Sequence, residues 1–173
     1  MDIVYIGSSA IGLEKLLESE TFNVIDVLCL EKRVTEQLEK VASDNGFSIV
    51  KFKWISEFRE TILNRYPSID TPFFIYQLDM LVPADLTGLY RFYNLHRGNL
   101  FTNRCPTPDI WPILNGDKVT SISLHQINDK IDSGVLIDVY DVEINDKDDP
   151  ITVKSKLEEG LPQLIDSLKK YFD

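Results

Sequence analysis

The chain has 173 residues, 43% of them hydrophobic and 27% charged, and carries a net charge of −10. That composition argues against a disordered chain, and the length suits one domain, residues 1–173, with a core of its own. No apolar run approaches the roughly 20 residues that span a bilayer, Met1-Asp2-Ile3-Val4-Tyr5 lacks the regions of a signal peptide, and no Lys/Arg run offers to neutralise phosphates, so a cytoplasmic protein with neither membrane nor nucleic acid as partner is expected.

Ile3 to Ile6 is a short apolar run closed by Gly7, which reads as a buried strand. Ala10 to Glu18 puts Ile11, Leu13, Leu16 and Leu17 near helical spacing. Asn23 to Leu30 reads as a second strand, and its Cys29 as a small buried hydrophobe. A helix over Thr35 to Ala42 stops before Gly46. A third strand follows at Phe47 to Phe52, a helix at Ser56 to Tyr66 and a fourth strand at Pro72 to Tyr76. This alternation predicts a mostly parallel sheet with right-handed crossovers. Leu89 to Leu95 reads as a further strand, and Pro106 to Leu114 as a helix in which Trp111 belongs to the core. The runs Val119 to Ile127 and Val135 to Val142 are joined by about seven polar residues, too few for a helical crossover, so they should pair antiparallel. One last helix should start at Asp149-Pro150. Its stripe Leu157, Leu161, Leu164, Ile165, Leu168 and Phe172 packs on its own sheet or on a second copy, which would make a homodimer. Gly160 weakens the middle of that helix.

There are two histidines, His96 and His125. His96 follows a predicted strand, where α/β sheets place their ligands, and Asn94 shares its side of an extended backbone. An amide can donate to a developing oxyanion, and an imidazole can move a proton near neutral pH. A carboxylate to orient the ring is offered by Asp129 or Asp132, in the loop 128–134. From spacing alone the plainer reading leads: a loop histidine beside turn-forming Asp and Gly. The two cysteines lack metal-ligand spacing, and Cys105 reads as a packing residue. Gly7-Ser8-Ser9-Ala10-Ile11-Gly12 is not the Gly-x-Gly-x-x-Gly fingerprint, although Gly7, Ser8 and Ser9 could present backbone N–H groups to an anionic substrate.

Further residues join these motifs. Asn94-Leu95-His96 runs without a gap through Arg104, Pro108, Trp111, Asn115-Gly116-Asp117 and Thr120 to Asp132-Ser133-Gly134. Ile3 to Ser8 supplies a first strand and turn, and Leu81-Val82-Pro83 an element after the fourth strand. The pattern resembles the folate-dependent formyltransferases, whose members act on methionyl-tRNA, glycinamide ribonucleotide or nucleotide sugars. It covers about residues 1–145 and is strongest over 94–134. Three places differ. The family's Ser-x-Leu-Pro is Gly98-Asn99-Leu100-Phe101 here, its next glycine is Cys105, and its Tyr-Gly before the Leu-Pro element is Leu78-Asp79.

The resemblance implies an α/β, Rossmann-like formyltransferase fold: a mostly parallel sheet with an antiparallel C-terminal strand pair and flanking helices. It implies 10-formyltetrahydrofolate as co-substrate, a primary amine as acceptor and no metal. Asn94 would stabilise the oxyanion of the tetrahedral intermediate, His96 would shuttle the amine's proton, and Asp132 would hold His96 and adjust its pKa. His125 would lie beside the site. Folate would sit between Met80, Leu81 and Val82 and the loop carrying Asn128 and Asp129. Arg104, with Gly7, Ser8 and Ser9, would meet the acceptor. Among acceptors, only about 30 residues, mostly one helix, follow the similar segment, and the charge is negative, which disfavours tRNA. The first loop lacks the Gly- and Ser-rich pattern of the purine-pathway enzyme. The amine of a dTDP- or UDP-linked amino sugar is the first choice. Another small amine and a catalytically inactive binding subunit are the alternatives.

Overall fold

The protein is described by a computed structural model that covers all residues except 105, 106, 131, 133 and 173. Its centre is a seven-stranded sheet of order β3-β2-β1-β4-β5-β6-β7. The strands are β1 (Asp2–Gly7), β2 (Asn23–Leu30), β3 (Val50–Phe52), β4 (Phe73–Tyr76), β5 (Phe92–His96), β6 (Val119–Gln126) and β7 (Leu136–Glu143). The first five run parallel, and β6 and β7 are antiparallel to their neighbours. Strand order turns back at β1 and β4, the switch-point arrangement of α/β sheets.

The helices are α1 (Ala10–Leu17), α2 (Glu36–Asp44), α3 (Ile55–Arg65), α4 (Ala84–Leu89), α5 (Trp111–Asn115), α6 (Pro150–Glu158) and α7 (Leu161–Phe172). Three begin on side chains that satisfy an otherwise unpaired N–H. Ser9 accepts from Gly12, Thr35 from Leu38 and Asp149 from Thr152. Each face of the sheet has its own cluster. Leu13, Leu16, Leu38, Val153, Leu161, Leu164 and Leu168 pack on Tyr5, Phe74, Tyr93 and Leu124. Phe58, Ile62, Leu86 and Tyr90 pack on Val4, Ile6, Phe73, Ile75 and Phe92. Both faces are therefore covered, as a parallel sheet requires. Cys29 is fully buried, and burial pushes its thiol up to about 11.

Several expectations change. The last helix is two, broken at Gly160, where a Cβ would stand 2.4 Å from the Tyr140 ring. Of the two places open to it, the apolar stripe of α7 packs on the chain's own sheet, with Leu161, Leu164, Ile165 and Leu168 buried. Leu89 ends α4 rather than opening β5; that helix, only six residues long, shows no legible period in the sequence. The third strand starts at Val50 instead of Phe47. Residue 106 lies outside the described residues; of the rest of the expected helix 106–114, only the part from Trp111 is helical, in α5 (Trp111–Asn115), because Pro112 fits only the first turn of a helix. Trp111 is 48% exposed and not core. The inward positions are taken by Pro108 and Pro112, and adjacent helical residues point about 100° apart. Cys105 lies outside the described residues.

Candidate active site

Strand pairing assembles most of the site. In the β5–β6 register Asn94 stands opposite His125, and His96 opposite Ser123. Opposed residues share a face, and Asn94 and His96 share it by the pleat. The Asn94 Nδ2 donates to His125 Nε2 over 3.1 Å. His125 is 1% exposed. Burial, helped by the neighbouring His96, pushes its ring down to about 4, while Asp132 and a backbone contact to Gln126 pull the other way. The ring is therefore neutral near pH 7, with the lone pair of Nε2 on the amide.

His96 is 7% exposed and is held at both nitrogens. Its Nε2 donates to the Asn103 carbonyl over 2.8 Å. Its Nδ1 lies 3.6 Å from Asp132 Oδ2. Both partners are hydrogen-bond acceptors. The other carboxylate oxygen of Asp132 is 4.0 Å from His125 Nε2. Asp132 thus faces both imidazoles. Its backbone has φ +43°, a left-handed conformation that Asp and Asn tolerate better than other side chains. Ser133 lies outside the described residues. Gly134 follows where the loop closes back on β6: a Cβ there would stand 1.6 Å from the Gln126 carbonyl oxygen.

The altered stretch after His96 also has a physical reason. A Cβ on Gly98 would stand 2.5 Å from Pro108 Cβ, 3.0 Å from His96 Nε2 and 3.1 Å from the Asn103 carbonyl oxygen. The Ser123 hydroxyl donates to the Gly98 carbonyl over 2.8 Å. Glycine at 98 lets the loop lie directly on the histidine, and β6 braces it from beneath. Neither Asn103 nor Ser123 was legible as a site residue, since a backbone carbonyl and a brace across 25 residues leave no motif.

The predicted binding residues divide. Gly7 ends β1 against β4, where a Cβ would meet the Tyr76 carbonyl oxygen at 1.8 Å. The Ser8 N–H and hydroxyl both donate to the Gln77 carbonyl. The Ser9 hydroxyl caps α1. The turn thus uses these groups within the protein and stands two strands from β5, roughly 10 Å at ordinary strand spacing. Arg104 is exposed and donates to the Leu100 carbonyl. With Thr102, Asn103, Trp111 and Asn115 it lines a cleft of about 270 Å³. Asn128 and Asp129 line a larger cavity of about 480 Å³, together with Gln126, Ile127, Gly134 and Val135 and with Ala84, Thr87 and Gly88 of α4. Met80 and Val82 are half-buried against the same apolar cluster as Ile127, just ahead of α4, and Leu81 is exposed. Met80, Leu81 and Val82 are not among the residues that line this cavity.

No family model matches the chain. Methionyl-tRNA formyltransferase of Buchnera aphidicola is 27% identical over 185 aligned positions, covering 98% of this chain and 58% of that protein. The chain thus spans little more than half the length of the curated relatives it matches. The crystal structure of phosphoribosylglycinamide formyltransferase from Bacillus halodurans superimposes with a TM-score of 0.87 at 15% identity, covering 100% of this chain and 96% of that one. A 4-N formyltransferase from Francisella tularensis superimposes with a TM-score of 0.75 at 19% identity, covering 99% of this chain and 67% of that one. The expected fold, a mostly parallel sheet with an antiparallel C-terminal pair, is the fold observed.

Proposed function

We propose that this chain, a member of the formyltransferase family, acts as one catalytic domain that moves a formyl group from 10-formyltetrahydrofolate to a primary amine, most of all the amine of a nucleotide-linked amino sugar. The reading is carried by the meeting of Asn94, His96 and Asp132 at the C-terminal end of β5. The cavity beside Asn128 and Asp129 suits the heterocycle of a folate in volume. Met80, Leu81 and Val82, in the segment just before α4, would meet the bound folate beyond that lining. Folate, when bound, supplies an electrophilic formyl carbon.

The protein's own groups do the rest. The Asn94 amide donates to the oxygen on which negative charge develops, and one such preorganised donor is worth about 3 kcal/mol of barrier. In the form with Nδ1–H toward Asp132 and Nε2 bare, His96 takes the proton that the attacking amine must lose and would return it to the tetrahydrofolate nitrogen as that nitrogen's bond to the formyl carbon breaks. Asp132 and the Asn103 carbonyl stabilise the ring once it is charged. The Asn103 carbonyl must yield Nε2 to the incoming amine. The choice of a sugar amine rests on the sequence, whose first loop lacks the Gly- and Ser-rich pattern of the purine-pathway enzyme and whose net charge of −10 disfavours tRNA.

The test is mass spectrometry of the purified chain with 10-formyltetrahydrofolate and a panel of amines: dTDP- and UDP-amino sugars, glycinamide ribonucleotide and methionyl-tRNA. A gain of one formyl group on a sugar, lost in Asn94→Ala and His96→Ala, is expected. Transfer only to another amine overturns the acceptor. Absence of both folate binding and transfer supports the inactive binding subunit instead.

A further inference from the structure

We infer that His125 is a positioning residue that holds the Asn94 amide with an N–H turned toward the reacting oxygen; this rests on the reading of Asn94 as the oxyanion donor. A side-chain amide has two nearly isosteric orientations. One presents N–H groups, and the other presents a carbonyl oxygen that would repel an oxyanion. Asn94 alone does not choose between them. His125 does, because its Nε2 accepts from Asn94 Nδ2 over 3.1 Å. One amide hydrogen is engaged there, and the second would serve the substrate.

The choice depends on the state of His125. A ring protonated at Nε2 would donate instead, and Asn94 would have to turn its oxygen to meet it. Three features keep the ring uncharged, the state in which Nε2 can be a bare acceptor. The ring is almost completely buried in β6. Its pKa is driven well below neutrality, burial being the main cause. The other titratable ring facing it, His96 on β5, opposes a second positive charge. Asp132, from the loop after β6, acts the other way, but its Oδ1 stands at 4.0 Å, beyond hydrogen-bond reach, and its Oδ2 faces His96. The pair is direct across the strand register, so the two side chains meet without any loop having to order.

The test has one arm independent of catalysis. In the full chain labelled with nitrogen-15, the His125 ring should show a bare Nε2 and a protonated Nδ1 from pH 6 to 8, and Asn94→Ala should shift the Nε2 resonance. A proton on Nε2 in that range overturns the inference. In the kinetic arm, His125→Leu should lower kcat about 10- to 100-fold with KM for both substrates changed less than 3-fold. His125→Gln, which can still offer an accepting oxygen, should restore most of the loss. His125→Leu should add nothing to Asn94→Ala, because the two act through one amide. Independent, multiplying losses, or a change confined to KM, overturn the inference. A wild-type chain that transfers no formyl group overturns the proposed activity, and the nitrogen spectra then still decide whether His125 orients the amide.

Discussion

The Asp132 carboxylate stands 3.6 Å from His96 Nδ1 on a backbone turned to φ +43°. Charge and conformation therefore coincide in one residue. Asp132→Asn keeps a side chain that tolerates the left-handed backbone but removes the charge. We expect a protein of nearly unchanged melting temperature whose kcat/KM for formyl transfer falls about 100-fold or more. Asp132→Ala should lose activity and also several degrees of thermal stability. Calorimetry beside steady-state kinetics separates the two effects. An Asn variant with full activity would remove Asp132 from the mechanism.

Gly98 predicts that restoring the family residue does harm. Gly98→Ser places a Cβ against Pro108, His96 and the Asn103 carbonyl. Overpacking of this kind costs about 1–3 kcal/mol, or roughly 2–10 °C in a chain of this size. Because the clash is with His96 itself, kcat should fall as well. A melting temperature equal to or above that of the parent would show that the loop packs differently.

His125 predicts a dependence of stability on pH. Its folded pKa is about 4, while an unfolded histidine titrates near 6.5. Between these values the unfolded chain binds a proton that the folded chain refuses, so stability rises with pH through that window and is complete above it. The contribution is at most about 3 kcal/mol. His125→Gln should flatten the rise in melting temperature between pH 4.5 and 6.5. An unchanged slope would assign it to other groups.

Gly160 gives a control remote from the chemistry. Alanine favours a helix over glycine by about 1 kcal/mol, yet Gly160→Ala drives a Cβ into the Tyr140 ring. The clash should win, lowering the denaturation midpoint while the kcat of the folded chain for the proposed transfer stays the same. Added stability would mean that Tyr140 moves aside and that the break between α6 and α7 is only a matter of propensity.

The alternation of apolar runs with helical periods, punctuated by Gly7, Gly46 and Pro67, was enough to read the parallel half of the sheet, since buried strands and amphipathic helices are local patterns. The short polar link between β6 and β7 was enough to read their antiparallel pairing. Asn94, His96 and Asp132 stood out as candidates, because residue type and a family pattern mark them. Other features depended on distant neighbours. Trp111 turned outward because prolines took the inner positions. The role of Gly160 required Tyr140, and that of Gly98 required Pro108 and Asn103. Asn94 and His125 lie 31 residues apart, and no spacing rule links them. Their contact is a consequence of strand register, which is set by the packing of a whole sheet face and not by the residues that meet. Sequence alone therefore determined which groups were candidates for chemistry, while the tertiary structure decided which of them meet and which nitrogen of each histidine is engaged.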